Sequence, residues 1–448
     1  PPTRAPRTMH APQLAHSVPL REAHGHLPWL GKALDMLSLH EAVDITDALD
    51  RLSARLRTPR PAGSPAFLQA HSARPEAWAE GRWFTRRELD RATGDVPVVV
   101  MSFDHHSVVA NSAALALASI DRTTPDPPGG IIERIASGPH AGEPSGLLLE
   151  SAAQRVWSLA PEPDESLRTE QIARALAHLA SLGFVEMHDL LSPVWLGPTL
   201  AQLDRAGRLP LRVGLFAPVD EIERHAADRR SWENPRLRLL GGKIFTDGTL
   251  NSRTAWVLEP YAHAPPDLLH GKALMTPDQI KAAAERCLRL SLGLAMHAIG
   301  DGAVRACLDG VAQISGSLRP RGSASLPIRI EHCELIDAAD IPRFAELGVI
   351  ASVQPCHLLA DIEALRRALP HRLHRVMPWR DLIRSGLKPG RTLLFGSDVP
   401  VVRADPADSL QAAVHRRRPG MSADEAIAPE QALDDATALR CFQILEEA

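Results

Sequence analysis

The sequence predicts an α/β fold, a TIM-type (β/α)8 barrel with a large insert after the first strand. Three observations predict this fold: short apolar runs without polar alternation, amphipathic helical stretches between them, and eight such runs in all. Continuous apolar runs of this length are typical of strands that are buried on both faces of a parallel sheet. Helices that alternate with buried strands form βα units, and eight such units close a barrel. An open, doubly wound sheet is the alternative fold.

Helix ends and apolar runs give the position of each predicted strand. Leu-Gly pairs end the helical stretch before three of the strands, at Gly183, Gly293 and Gly348. Glycine is favoured just past the last turn of a helix, so these pairs predict helix ends. Thr276 and Gln279 have the spacing of a capping box and predict the start of the helix before the fifth strand. The eight strands are predicted near residues 22–27, 184–188, 211–216, 239–245, 293–297, 328–332, 349–354 and 392–397.

The spacing of the first two strands predicts an insert. About 160 residues separate these strands, whereas one barrel unit uses roughly 30 residues. Residues 40–150 are therefore predicted to form an inserted capping subdomain over the carboxyl-terminal mouth of the barrel, where barrel sites lie. The alternative is an insert that packs only on the outside. The other predicted segments are an N-terminal extension at 1–20, the barrel itself at 21–440 and a C-terminal tail at 441–448.

Composition and charge exclude several classes of protein. The 448 residues are 44% hydrophobic and 23% charged, which excludes wholesale disorder. The formal net charge of −4 shows no basic excess, so neither nucleic acid nor a membrane surface is a predicted partner. No apolar run is long enough for a transmembrane helix. The five cysteines lack CxxC spacing and are predicted to be free thiols, which favours a cytoplasmic location. A small molecule is the predicted partner, and a homo-oligomer is left open.

Metal-binding side chains fall at the ends of the predicted strands, and a barrel brings all these ends to one face. His24 and His26 lie on the same side of the first strand, because strand side chains alternate. With Asp398 they give two nitrogens and one oxygen, a ligand set that catalytic zinc uses while keeping a position for water. The pattern predicts a first ion bound by these three residues. A chance His-Gly-His, with Asp398 as a helix cap, is the alternative interpretation.

Three further strand-end residues predict a second ion beside the first. His297 and His332 are the predicted imidazole ligands. Two cations would repel a protonated lysine, and burial with nearby positive charge lowers the pKa of a lysine. The neutral amine of Lys243 can then add carbon dioxide, and the resulting carbamate is an anionic ligand able to bridge both ions. The alternatives are structural histidines and a lysine that pairs with Asp247.

Six motifs follow one another along the chain at these strand ends. In this order they resemble the amidohydrolase superfamily, and more narrowly amidohydrolase family 3, the YtcJ-like group that includes N-substituted formamide deformylases. In the insert, FDHHSVVANSAAL and GEPSGLLLE resemble two further elements of that group, and the resemblance extends from residue 21 to residue 440. The six motifs are AHGH, GGKIFTDGTLNSRTAW, MHAIGDGAV, RIEHCELI, SVQPCHL and LLFGSDVPV.

The resemblance implies a (β/α)8 barrel with one or two divalent metals, usually zinc, that hydrolyses C–N or related bonds. It implies that the predicted ligands bind the first and second ions as described above. It also implies that Lys243 is carboxylated and that Asp398 is both a ligand and the proton shuttle. Residues at matching motif positions are also implied to bind the substrate, and these are Asp104, His106, Asn111, Arg253 and Gln354.

Three of these substrate assignments have a structural alternative. Packing within the insert is the alternative for His106 and Asn111, and a clamp on its own loop is the alternative for Arg253. The sequence also departs from the family pattern, because little chain precedes the first motif or follows the last. The flanking β-sandwich of the family is therefore predicted to be absent or truncated.

The predicted function is a metal-dependent hydrolase that cleaves an amide or related C–N bond of a small molecule. A metal-bound hydroxide is expected to attack the carbonyl carbon, and Asp398 is expected to move the proton to the leaving nitrogen. Two alternatives stay open: a non-catalytic barrel with a binding or regulatory role, and a hydrolase that cleaves an ester or lactone bond.

Overall fold

The computed structural model describes residues 18–58, 66–75, 78–102, 107–264, 266–314 and 327–444. The chain divides into two compact units. The barrel unit contains the chain up to Leu30 and from Ala173 onwards, and the insert unit is Gly31–Ile172. The predicted insert, 40–150, lies within the second unit, and its capping role stays a prediction.

The described residues form strands in both units. In chain order these are β1 (Leu20–Gly25), β2 (Leu37–Ser38), β3 (Leu68–Ala73), β4 (Val98–Ser102), β5 (Ser107–Ala110), β6 (Gly130–Arg134), β7 (Pro144–Glu150), β8 (Phe184–Leu190), β9 (Arg212–Pro218), β10 (Leu237–Phe245), β11 (Gly293–Ala298), β12 (Ile328–His332), β13 (Ile350–Val353) and β14 (Leu393–Phe395).

Helices separate most of these strands. In chain order they are α1 (Leu27–Asp35), α2 (Ile45–Arg57), α3 (Arg86–Thr93), α4 (Ser112–Leu117), α5 (Ser151–Trp157), α6 (Glu165–Ser181), α7 (Leu196–Arg205), α8 (Ile222–Asp228), α9 (Pro277–Arg289), α10 (Asp301–Ala312), α11 (Ile341–Leu347), α12 (Pro355–Ala368), α13 (Trp379–Arg384), α14 (Pro406–His415) and α15 (Asp435–Phe442).

The barrel unit contains one eight-stranded sheet in the order β1-β8-β9-β10-β11-β12-β13-β14. Neighbouring strands in this order pair in parallel. The sheet nearly closes, because the backbone N–H of Asp398 donates to the carbonyl of His24 at 2.7 Å and the N–H of His26 donates to the carbonyl of Val399 at 2.8 Å. Each strand lies where an apolar run predicts it. The predicted TIM-type (β/α)8 barrel is confirmed.

Local signals at the helix ends agree with the sequence at most positions. The side chain of Thr276 accepts from the backbone N–H of Gln279, and both halves of the capping box are present at α9. Gly183 and Gly348 have positive φ angles of 93° and 67° just after their helices. Gly293 is different, because it begins β11 rather than ending α9. A side chain there would meet the backbone carbonyl oxygen of Pro327, just before the neighbouring strand β12, at 2.2 Å, so close strand packing explains this glycine.

The insert unit contains a six-stranded mixed sheet in the order β2-β3-β4-β5-β7-β6. Strands β2, β3 and β4 are parallel, and the remaining pairs are antiparallel. The apolar segment Val98–Ser102 forms β4, all of whose residues are buried. Every strand in the described residues belongs to one of these two sheets, so these residues form no separate β-sandwich.

Two further observations bear on the sequence predictions. The five cysteines are free and buried, as predicted. In the described ranges, none of the helices is both long enough and apolar enough to cross a membrane. The cytoplasmic location stays a prediction.

Candidate metal centre

The carboxyl ends of the barrel strands bring the predicted ligands together. Because the strands run parallel around the sheet, these ends lie at one face. The ring centroids of His24 and His332 are 4.9 Å apart, and those of His297 and His332 are 4.4 Å apart. The Nε2 atom of His24 lies 3.4 Å from Oδ1 of Asp398. Residues that are hundreds of positions apart in the chain are therefore neighbours in the barrel.

The first group of potential ligands is the one that the sequence predicts. One ligand atom from each of His24, His26 and Asp398 lies within 4.8 Å of the others. The Nε2 atom of His26 is 2.8 Å from Oδ1 of Asp398. We refer to these two histidines and Oδ1 of Asp398 as the first-ion half. Its two nitrogens and one oxygen match the ligand set of a catalytic zinc site.

A second group shares Asp398 but includes a histidine that was not predicted. Ligand atoms of His332, His357 and Asp398 lie within 4.8 Å of one another. The Nε2 atom of His357 is 3.7 Å from Oδ2 of Asp398. Nδ1 of His332 and Nε2 of His357 are buried and have no hydrogen-bond partner in the described part of the chain. We refer to these two histidines and Oδ2 of Asp398 as the second-ion half.

His297 lies beside the second-ion half, as its ring contact with His332 shows. Its Nε2 atom is 3.1 Å from the backbone carbonyl oxygen of Gly248 and 3.5 Å from Oδ1 of Asp247. In this arrangement Nε2 of His297 donates a hydrogen bond to a carbonyl oxygen. Because Nε2 carries the proton in this arrangement, Nδ1 is the nitrogen of His297 that could bind a cation.

Lys243 is buried in β10 next to this group of histidines. Burial lowers the pKa of its amine to about 8. The amine forms no hydrogen bond or ion pair with any residue that the structure describes, and its Nζ atom lies 5.1 Å from the centre of the Phe245 ring. The alternative partner, Asp247, instead accepts from the backbone N–H groups of Ile299 and Gly300, at 3.1 Å and 2.8 Å. An amine that is buried, unpaired and easily deprotonated fits the predicted carbamate.

The protonation states suit cation binding. Burial lowers the pKa of His24 to about 4 and, with the nearby Lys243, that of His297 to about 3. Burial and the neighbouring histidines place the pKa of His332 well below its ordinary value. Burial opposes the charge on Asp398, but the histidines around it hold its pKa below the ordinary range. Neutral imidazoles and an ionised carboxylate are the forms that bind metals.

Two buried glutamates each contact the Nδ1 atom of a histidine in the centre. Oε2 of Glu331 is 2.7 Å from Nδ1 of His24, and Oε1 of Glu334 is 3.3 Å from Nδ1 of His357. Burial opposes the charge on His357, but Glu334 and Asp398 outweigh it and raise the pKa of this imidazole to about 9. Histidines in metal sites commonly donate their second N–H to a carboxylate, which fixes the orientation of the ring.

Arg329 supports the glutamate behind His24. It is fully buried, and its guanidinium bonds both carboxylate oxygens of Glu331 and the hydroxyl of Ser352, the latter at 2.6 Å. Burial opposes the charge on Glu331, but Arg329 holds the pKa of this carboxyl well below its ordinary value. Glu331 is therefore a charged acceptor in the barrel interior.

Sequence reasoning did not identify these supporting residues. Arg329 and Glu331 alternate with isoleucines in β12, and this spacing places both side chains on one face. That pattern of buried charge could have been recognised. His357 lies within the SVQPCHL motif, but its position one turn into α12 gives no signal that it faces the strand ends.

The backbone at two predicted ligands lies in the left-handed region. The φ angle is 70° at His332 and 64° at Asp398. Such angles are costly for residues with a Cβ atom and occur where the surrounding structure fixes them, often at functional sites. Both residues turn the chain at the end of a strand and direct their side chains to the centre.

The predicted substrate residues are in different situations. Asp104 and His106 lie outside the described residues. Asn111, in the insert unit, is buried and caps α4 by accepting from the N–H of Ala114. Its amide also donates to Thr93 at 3.0 Å. These bonds match the packing alternative for Asn111.

Arg253 and Gln354 lie in the barrel unit. The Nη1 group of Arg253 donates to the carbonyl of His263 at 2.8 Å, which matches the alternative of a clamp on its own loop. Gln354 precedes α12 and is buried, and its Oε1 atom has no partner among the described residues. The five substrate-binding assignments stay predictions.

Comparison with known proteins identifies the family. The model of the Amidohydrolase family matches residues 19–443, nearly the whole described chain. The chain belongs to the Amidohydrolase family. The resemblance seen in the sequence motifs is thus confirmed.

Relatives of this amidohydrolase include proteins from plants and bacteria. The LONG AFTER FAR-RED 3 protein of Arabidopsis thaliana is 30% identical over 344 residues, which cover 74% of this chain and 57% of that protein. The chain thus spans little more than half of the length of this relative. The N-substituted formamide deformylase of Arthrobacter pascens is 24% identical over 446 residues, which cover 94% of this chain and 77% of the deformylase.

A solved structure is also similar to this amidohydrolase. It is that of an uncharacterized metal-dependent hydrolase from Pyrococcus horikoshii OT3, with a TM-score of 0.73 and 26% sequence identity. The similarity covers 95% of this chain and 79% of that one.

The residues of the centre fit a divalent cation. The donor set consists of imidazoles and one ionised carboxylate, which suits zinc and related ions. Two buried nitrogens in the second-ion half have no hydrogen-bond partner in the described part of the chain, and a cation would bind both. Buried polar atoms normally have a partner, so unpartnered ones require an explanation.

Proposed function

We propose that this amidohydrolase is a metal-dependent hydrolase that cleaves an amide or related C–N bond of a small molecule. The observation on which the proposal rests is the convergence of His24, His26 and Asp398 at the carboxyl ends of the barrel strands, within 4.8 Å of one another. The names of two similar proteins, a metal-dependent hydrolase and an N-substituted formamide deformylase, support the reaction class.

His24, His26 and Asp398 would hold one divalent cation, with zinc as the expected ion. Lys243, as a carbamate, and the histidines at the ends of β11 and β12 would hold a second. When bound, such cations lower the pKa of a water molecule and polarise the carbonyl oxygen of the substrate.

Asp398 is the proposed proton shuttle. Its carboxylate is ionised, because neighbouring histidines hold its pKa low, and so it can accept a proton. Its two oxygens face different histidines, His26 at 2.8 Å and His357 at 3.7 Å. In the proposed mechanism Asp398 takes a proton from the attacking water and passes it to the leaving nitrogen.

Two aromatic rings beside the centre are proposed to contact the substrate. Phe245 follows Lys243 by two positions in β10, so strand alternation places both on one side of the sheet. Its ring lies 5.3 Å from that of His297, yet the residue is 42% exposed. Trp29 is also 42% exposed, and its ring lies 6.1 Å from that of His26. Exposed rings next to buried ligands suit an apolar part of a substrate.

A substrate panel tests the proposed function. Zinc- or manganese-loaded protein would be assayed against N-formyl, N-acyl and cyclic amides, with esters and lactones in parallel. We expect turnover of at least one amide class, and loss of that turnover when a chelator removes the metal. Less than about one divalent ion per chain after purification without chelators, with none taken up on addition, would favour a non-catalytic barrel. Activity on esters alone would contradict the C–N assignment.

A further inference from the structure

The second-ion half contains a buried histidine without an assigned role. His357 lies in the first turn of α12, directly after β13, and is 8% exposed. Its Nε2 atom has no hydrogen-bond partner among the described residues and lies 3.7 Å from Oδ2 of Asp398. Its ring is near-parallel to that of His332, with 5.8 Å between the centroids. This nitrogen therefore faces the same carboxylate that the first-ion half uses.

His357 shares two kinds of contact with His24, a predicted ligand. In both residues a buried glutamate lies at Nδ1, 2.7 Å away for His24 and 3.3 Å away for His357. In both residues Nε2 points to Asp398, at 3.4 Å and 3.7 Å. A carboxylate on one ring nitrogen and a metal on the other is the recurring arrangement of histidine ligands. The glutamates, Glu331 and Glu334, belong to one motif, RIEHCE.

His297 has the same kind of arrangement with its ring nitrogens exchanged. Its Nε2 atom donates to the backbone carbonyl of Gly248 at 3.1 Å, which leaves Nδ1 as its potential ligand atom. Among the described residues, Nδ1 of His332 and Nε2 of His357 have no hydrogen-bond partner. These two residues and Asp398 also form a group whose ligand atoms lie within 4.8 Å of one another.

We infer that His357 is a ligand of the second cation, together with His332 and Asp398, and that Glu334 positions it. The inference rests on the proposed function, because it takes the centre to bind divalent cations. It adds to the predicted ligand set a residue from the helix after the seventh barrel strand.

The number of bound ions tests the inference directly. Metal-free wild-type protein and His357→Ala would be titrated with zinc, and bound zinc would be measured by mass spectrometry after removal of free ion. Cobalt substitution would give a second readout, since its absorption spectrum reports the ligands. We expect two ions in the wild type and one in His357→Ala, with a changed cobalt spectrum for the lost site.

A matched control separates the loss of a ligand from the loss of a buried histidine. His225 in α8 is also buried, and its Nε2 atom also lacks a hydrogen bond, but it is absent from the potential ligand groups in the described residues. His225→Ala is expected to bind two ions. Two ions in His357→Ala, with unchanged affinity and spectrum, would overturn the inference and leave the proposed function intact. One ion in the wild type would do the same, whereas no ion in the wild type would contradict the proposed function itself.

A second variant keeps the test valid if His357→Ala does not fold. Glu334→Gln preserves volume but replaces the carboxylate at Nδ1 of His357. We expect it to bind both ions at saturation, with affinity for the second ion reduced roughly 10- to 100-fold, as for other such partners. Asp361→Asn is the control, because Asp361 forms a separate potential group with Glu334 and His357. A loss of second-ion affinity in Asp361→Asn as large as that in Glu334→Gln would place the cation in that group and overturn the inference.

Discussion

The two halves of the metal centre differ in how their polar atoms are satisfied. In the first-ion half, His26 lies 2.8 Å from Oδ1 of Asp398, and Nδ1 of His24 lies 2.7 Å from Glu331. In the second-ion half, His332 and His357 each have a buried nitrogen without a hydrogen-bond partner among the residues that the structure describes. Among the described residues, hydrogen bonds pair these atoms of the first half, whereas two nitrogens of the second half remain available to a bound ligand.

This difference indicates how each half depends on metal. A buried polar atom without a partner costs free energy, because it has lost its hydrogen bonds to water. Binding of a cation in the second-ion half removes that cost, while binding in the first-ion half replaces contacts that already exist. Asp398 links the halves, because Oδ1 faces one and Oδ2 faces the other.

The largest expected effect comes from Asp398→Asn, because this residue serves both halves. The amide cannot accept the proton from water, so kcat should fall by roughly 10²- to 10⁴-fold, the usual contribution of a general acid–base group. The imidazoles remain, so the variant should retain much of its metal. Steady-state kinetics with metal analysis of the same sample would measure both. Metal-replete Asp398→Asn with wild-type activity would refute the shuttle role.

The anchor of the first-ion half is tested by Glu331→Gln. Loss of the charged acceptor behind His24 should lower affinity for the first ion roughly 10- to 100-fold, with little change in the second. Zinc titration of the metal-free protein measures this. Glu186→Gln is a suitable control, since Glu186 is another carboxylate of the barrel and pairs with Arg21 at 2.6 Å rather than with a predicted ligand. If Glu331→Gln bound the first ion as tightly as the wild type does, Glu331 would not anchor the first-ion half.

The carbamate proposed on Lys243, between the two halves, should form in a pH-dependent way in the metal-free protein. Burial lowers the pKa of Lys243 to about 8, so the neutral amine that reacts with carbon dioxide is the minor form at pH 7 and the major form at pH 9. At fixed dissolved ¹³CO₂, the carbamate signal in ¹³C NMR should rise about tenfold across that range. Lys243→Met should lack the signal. A signal that persists in this variant, or one that falls with rising pH, would exclude the carbamate on Lys243.

The fold could be predicted from the sequence because its signals are local. Each barrel strand is an apolar run of its own, and a capping box such as that of Thr276 depends only on neighbouring residues. Gly293 shows the limit of this reasoning. Its absent side chain leaves room for another part of the chain, and no local pattern distinguishes that need from a helix end.

The site could be predicted only in part, for a related reason. His24, His26 and Asp398 lie at strand ends, and the barrel topology alone places strand ends together. His357 is in a helix, and its direction depends on how α12 packs after β13. Glu334 follows the strand rather than belonging to it. Contacts of this kind arise from tertiary packing, so a search for polar residues at the ends of predicted strands could not identify them.

The smallest expected effect concerns Phe245, which lies near the centre without contributing a ligand atom. Phe245→Ala removes a ring that is proposed to contact the substrate, and such aromatic contacts contribute about 0.5–1.5 kcal/mol, so kcat/KM should fall roughly 2- to 10-fold. The loss should appear in KM and be larger for amides with apolar substituents, while both ions remain bound. Val185→Ala is the control, because Val185 is also exposed but lies at the amino end of β8, the opposite end of the strands. A uniform loss of kcat for all amides, with KM unchanged, would show that Phe245 supports the ligands rather than the substrate.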